Sequence, residues 1–149
     1  HGFLYGYFDT NNKPHKIRGR RIFCSNRNKR TGCGKTISIL KATCIKGFTF
    51  SANTISRFLH NLSSGMAIAE AFIHTGIPHG RSSPYRIYRR FKHSQSSIRT
   101  CLNQISTPPD STSEKAVLQT VNHLLTLNEQ ENCPVAAFQY RFQRSLFSS

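Results

Sequence analysis

The sequence predicts an α+β protein: a small antiparallel sheet, then a helical bundle, then a two-helix tail. Three observations predict it. Residues 3–40 hold β-prone, alternating stretches separated by turn formers. Residues 54–105 switch to apolar residues spaced three and four apart, and the segment after Pro109 repeats that spacing behind new helix starts. A 37% hydrophobic fraction over 149 residues allows a modest core.

The first strand is read at residues 3–8 (FLYGYF), followed by the turn-forming cluster Asp9 to Pro14. Residues 15–24 make a return strand with basic outward positions, and residues 36–40 (TISIL) alternate at period two, the signal of a half-buried strand. A sheet this small is marginal without a staple.

After Gly47, the residues Ile55, Phe58, Leu59 and Leu62 form the stripe of a helix at about 54–62, with Ser51 or Asn53 as its N-cap. Met66, Ala69, Phe72 and Ile73 repeat the spacing in a second helix at about 66–75, punctuated by Gly65 and Gly76. A loop rich in Gly, Pro and Ser leads to Ser83-Pro84, a cap with proline at the first helical position. From there Tyr85, Tyr88, Phe91, Ile98, Leu102 and Ile105 keep one face of a long third helix apolar, over about 84–105. Residues 107–109 form a linker, and Ser111 to Glu114 fits a capping box ahead of Val117, Leu118, Val121, Leu124 and Leu125. Cys133-Pro134 opens a last helix carrying Val135, Phe138, Phe142 and Leu146. The expected units are therefore 1–46, 47–106 and 107–149.

Charge points to the partner. Lys plus Arg number 21 against 6 acids, a net +15, and between Asp9 and Asp110 the only carboxylate is Glu70. A single-sign field of this size attracts polyanions, with nucleic acid the commonest. An anionic membrane asks for a basic amphipathic helix or a polybasic run beside an apolar stretch, and neither stands out. No apolar run of about 18 residues predicts a membrane span, and no signal-peptide pattern appears. The expected partner is double-stranded DNA, in the cytoplasm and associated with the nucleoid. The five cysteines are read as reduced, some of them metal-binding.

Cys24 and Cys33 carry the most specific motif. A Cys followed by Gly at a strand-to-turn bend suits a zinc knuckle, although eight residues separate the pair where a plain knuckle has two. The alternative is a pair of buried free thiols, with the insertion of Arg27, Lys29 and Arg30 acting as a phosphate-gripping finger. The three helices at 54–105 look like a helix-turn-helix whose reader is the start of the third helix, with Arg86, Arg89, Arg90, Lys92 and His93 beside the Tyr85, Tyr88 and Phe91 stripe. The loop at 76–83 is longer than the usual three to four residues. Arg18, Arg20, Arg21, Lys35 and Arg81 complete the candidate DNA contacts.

The order His1-Gly2-aromatic, strand, turn, Arg20-Arg21-x-x-Cys24, Cys33-Gly34-Lys35-Thr36-x-Ser38 resembles the zinc ribbon that opens many bacterial insertion-sequence transposases and their small relatives. It covers about residues 1–45, and more loosely the helices to 100. The resemblance implies that Cys24 and Cys33 are the second zinc-ligand pair, the first being a Cys-x2-Cys that would fall before His1. Within this sequence Cys44, His1 and His15 are the candidates to complete the set. The resemblance also implies a mobile-element setting, with a recombinase or transposase subunit as a protein partner, while the low-charge tail helices offer a homo-oligomer contact.

Catalysis fails on inventory. The common transposase nuclease needs three carboxylates on a larger fold, and four of the six acids here lie in the tail. Gly-Lys-Thr at 34–36 lacks the earlier glycine of a phosphate loop. The expectation is a non-enzymatic DNA-binding accessory or targeting protein. Two alternatives stay open: an RNA-binding structural protein, since Phe3, Tyr5, Tyr7 and Phe8 suit stacking on unpaired bases, and a protein-interaction adaptor built on the tail.

Overall fold

A computed structural model describes residues 2–9, 16–28, 31–110, 115–126 and 132–147. Strands β1 (Gly2–Gly6), β2 (Lys16–Phe23) and β3 (Thr36–Leu40) form one antiparallel sheet in the order β1-β2-β3. The protein is thus α+β, with five helices following the sheet among the described residues. Pairing runs in rows, Phe3–Arg20–Ile39 and Leu4–Gly19–Leu40, until a bulge sets Tyr5 opposite Ile17. A bulge places an extra residue in one strand and re-aims a side chain. Here the extra residue is Arg18, which turns off the outer face and sends its Nη2 to the Ile45 and Phe48 carbonyls.

The alternation of β3 is present, but its apolar side is not half-buried. Ile37 and Ile39 are 55% and 53% exposed. The sheet meets the rest of the protein through the other side, where Gly19 is buried and Leu40 half-buried, so period two identifies the strand without saying which face is covered.

Helix α1 (Ala52–Ser63) begins at Ser51, whose Oγ accepts the Thr54 N–H at 3.1 Å. Asp9, just after β1, reinforces this start: its Oδ1 accepts the Ser51 N–H at 2.8 Å and the Thr54 hydroxyl at 2.6 Å. Ile55, Phe58, Leu59 and Leu62 are buried as the spacing predicts. Helix α2 (Ile68–Ile73) is shorter than expected. Met66 precedes it, and Ile73 points to solvent at 63% exposure, because Ala71 and Phe72 take the inward positions.

Helix α3 (Ser83–Asn103) carries Pro84 in its first turn, but Ser82 rather than Ser83 flanks it, without a side-chain cap. Its buried stripe is Pro84, Ile87, Phe91, Ser94, Ile98, Cys101 and Leu102. Tyr85, expected on that stripe, is 51% exposed, one position off the inward row that Pro84 and Ile87 define. Ile105 lies just past the helix end.

Helix α4 (Ala116–Thr126) and helix α5 (Pro134–Phe142) form the tail, and the proposed capping box at 111–114 falls outside the described residues. The start of α5 is capped by α1: Ser56 Oγ accepts the Val135 N–H at 3.2 Å and lies 3.3 Å from Cys133 Sγ. Gln143, at a left-handed φ of 50°, ends α5, so Leu146 is buried by the following turn and not by the helix.

One core runs from Ile45 to Phe147, centred on Phe58, Phe72, Phe91, Phe138 and Phe147. Each such side chain, fully buried, contributes about 1.5–3 kcal/mol. The apolar stripes of α4 and α5 lie within this core. Gln139 ties α5 to the chain after β3: its Nε2 donates to the Ala42 and Cys44 carbonyls and its Oε1 accepts the Leu146 N–H. Among the described residues no helix is long and apolar enough to cross a membrane.

Candidate nucleic-acid interface

The buried stripe of α3 dictates which of its cations are presented. Because the inward residues repeat every three to four positions, Arg86, Arg89, Arg90, Lys92 and His93 all fall outside it and are exposed. Arg86 and Arg90, one turn apart, share a flank. Both guanidinium groups lie over the ring of Phe48, at 5.2 and 5.0 Å from its centroid. Phe48 is only 4% exposed and is held from behind by Phe147, whose ring meets it edge-on at 5.4 Å. The aromatic face thereby positions two arginines while leaving their charge at the surface.

Glycine at position 47 suits this arrangement. Its φ is +76°, and a Cβ there would stand 3.1 Å from Arg90 Nη1. Arg18 fastens the same loop from the opposite side through the Ile45 and Phe48 carbonyls, so β2 and the first half of α3 converge on Phe48.

The other predicted contacts divide. Arg18 is committed to those carbonyls and to the Phe8 ring, 5.4 Å away, so the bulge removes it from the exposed set. Arg20 is exposed on the outer face of the sheet, its guanidinium 4.9 Å from the Phe3 ring centre. Arg21, Arg27, Lys35 and Arg81 are exposed, whereas Lys29 and Arg30 lie outside the described residues. Sequence reasoning missed Phe48, although the pair Gly47-Phe48 directly after Lys46 was a usable signal. It also missed a groove of about 850 Å³ between β3 and α5, lined in part by Lys41, Lys46, Tyr140 and Arg144.

Cys24 and Cys33 come together across the turn between β2 and β3. The Cys33 N–H donates to Cys24 Sγ at 3.2 Å, the Gly34 N–H to the Cys24 carbonyl at 2.8 Å, and the Cys24 N–H to the Lys35 carbonyl at 2.9 Å. Gly32 permits the close approach, since a Cβ there would overlap the Ser25 carbonyl oxygen at 1.9 Å. The Lys35 N–H directed at the Cys33 sulfur, and then the Cys24 side chain, hold the Cys33 thiol below its ordinary pKa of 9.0. Backbone N–H groups directed at the two sulfurs are compatible with a pair of metal-ligating thiolates.

Among the described residues no group of three or more His, Cys, Asp and Glu forms, so Cys44 does not complete the pair. Cys44 is buried instead, with its thiol donating to the Arg18 carbonyl at 3.3 Å. His1 and His15 lie outside the described residues.

Comparison with protein-family models, with curated proteins and with solved structures gives no match.

Proposed function

We propose that the protein is a DNA-binding accessory or targeting component of a mobile-element transposition or recombination system, holding duplex DNA against the first half of α3. The observation that carries this is the seating of Arg86 and Arg90 on Phe48, beside Arg89, Lys92 and His93. A helix with that face fits the major groove, where arginine pairs with guanine edges and the remaining cations grip phosphate. Residues 74–82 separate α2 from α3, more than the turn of a standard helix-turn-helix, so the reading rests on the charged face and not on motif geometry.

The mobile-element setting rests on the likeness of residues 1–45 to transposase zinc ribbons. Zinc at Cys24 and Cys33 belongs to the same proposal, with its other ligands supplied from outside the described residues. Binding without cutting rests on the carboxylate inventory, of which Asp9 is already engaged at the start of α1.

The test is duplex binding across a salt series. Affinity should fall with a log–log slope of about −0.9 per phosphate neutralised, several phosphates being engaged. A flat response would assign the charge to another role.

A further inference from the structure

The outer face of the sheet is left unexplained by duplex binding at α3. Strand pairing puts Phe3, Arg20 and Ile39 in one row and Ile22 with Ile37 in the next, and the bulge brings Tyr5 and Ile17 to the same side. Of the eight large apolar side chains left exposed among the described residues, five lie here: Phe3, Tyr5, Ile22, Ile37 and Ile39, at 45–58% exposure. A contiguous apolar patch of this kind marks a surface that something covers.

We propose that this face is a stacking platform for the unpaired bases of single-stranded nucleic acid, a second binding surface distinct from the duplex-holding helix. The chemistry selects the occupant. Phe3 and Tyr5 stand edge to face with centroids 6.3 Å apart, and Arg20 lies over Phe3 at the centre of the patch. Lys35 and Lys41, both exposed, flank β3 at its two ends, so cations lie close to Ile37 and Ile39 in the chain. No acid occurs between Asp9 and Glu70 to offset them.

An occupant must therefore offer flat apolar surfaces and negative charge together, as unpaired bases on a phosphate backbone do. Duplex DNA keeps its base faces stacked inside and offers these rings nothing. A second copy of this chain fits poorly, because it would bring one +15 molecule onto another with Arg20 in the contact. Three strands about 4.8 Å apart give room for about two or three bases.

The chain contains no tryptophan, so Phe3→Trp creates a single reporter on the face. The full-length protein is titrated at fixed salt with oligo(dT), oligo(U), a mixed-sequence duplex, inorganic polyphosphate and an acidic poly(Glu,Tyr) copolymer. Quenching of the reporter by oligo(dT), by oligo(U) or by both, and not by duplex or polyphosphate, is expected, and the two single-strand arms assign the sugar. In parallel, Phe3→Leu with Tyr5→Leu preserves apolar bulk and removes the rings. It should weaken single-strand binding about tenfold or more while leaving duplex affinity and the circular dichroism spectrum unchanged.

Unchanged single-strand affinity in that variant overturns the proposal. So does quenching by polyphosphate to the same extent, which reports charge alone, or quenching by the acidic copolymer with none by oligonucleotides, which transfers the face to a protein partner. Loss of duplex binding on substitution in α3 would leave these outcomes untouched, so the two surfaces are judged separately.

Discussion

Arg18 of β2 donates its Nη2 to the backbone carbonyl of Phe48, 30 residues further along the chain, on the same residue whose ring carries Arg86 and Arg90. Replacing Arg18 with Met removes two charge-assisted bonds from the joint between sheet and helices. The expected cost is about 1–3 kcal/mol, read as a lower urea midpoint with an unchanged slope. Arg18→Lys should recover only part of it, because one ammonium does not reproduce the planar reach of a guanidinium. A wild-type midpoint for Arg18→Met would mean that the joint is held by other contacts.

Asp9 offers a cleaner contrast. It sits at a φ of 58° and accepts from both Ser51 and Thr54 at the start of α1. Alanine loses both bonds and is strained at that φ, so Asp9→Ala should destabilise by about 1–3 kcal/mol. Asn tolerates the left-handed backbone and keeps an acceptor oxygen, so Asp9→Asn should lose less than half as much in the same denaturation series. Equal losses would show that the negative charge, and not the bond geometry, is what matters.

His123 makes stability depend on pH. Burial first, and the Arg99 charge second, hold its imidazole below the ordinary 6.5, with a hydrogen bond to the Ser106 backbone opposing them. The unfolded chain therefore takes up a proton near pH 6.5 that the folded protein accepts only at lower pH. This contribution is complete above about pH 6.5 and is lost as pH falls through the lowered folded value. Thermal melts between pH 7.5 and 5 should show the decline, and His123→Gln should flatten that part of it. An undiminished decline in the variant would place its source elsewhere.

The thiols should divide by environment. Cys33 is exposed and its pKa is lowered, whereas Cys44 and Cys101 are buried. In metal-free native protein, iodoacetamide should modify Cys33 well before Cys44 or Cys101, as mass spectrometry of timed digests would reveal. Added zinc should slow that modification if Cys24 and Cys33 form a half-site. Labelling indifferent to zinc would remove the metal from the proposal.

The strands and helices were legible because their periods differ: TISIL alternates, while Ile55, Phe58, Leu59 and Leu62 step by three and four. Which side of the sheet is covered was not legible. The same alternation serves a buried or a bare face, and the bulge that turns Arg18 inward follows from strand register, which no single strand encodes. In α3, the row of Tyr85 and Tyr88 lies one position off that of Pro84 and Ile87, and the apolar spacing fits either row as the inward one. Tertiary packing turned the row of Ile87 inward. The α3 cations were visible by composition, but their anchor was not, since Phe48 meets Arg86 and Arg90 only after the chain between them folds.

The central claim is that exposed cations on α3 hold duplex DNA, and Arg89 with Lys92 test it without disturbing the Phe48 contacts. The most direct measurement is fluorescence anisotropy of a labelled duplex at fixed salt. Arg89→Ala with Lys92→Ala is compared against Arg57→Ala with Arg141→Ala, which removes the same two exposed charges from α1 and α5. The account predicts that the α3 pair weakens binding about tenfold or more and lowers the salt slope by about 1–2, while the control pair changes affinity only a few-fold. Equal losses from both pairs would contradict it, since they would mean that net charge and not the α3 face holds the DNA.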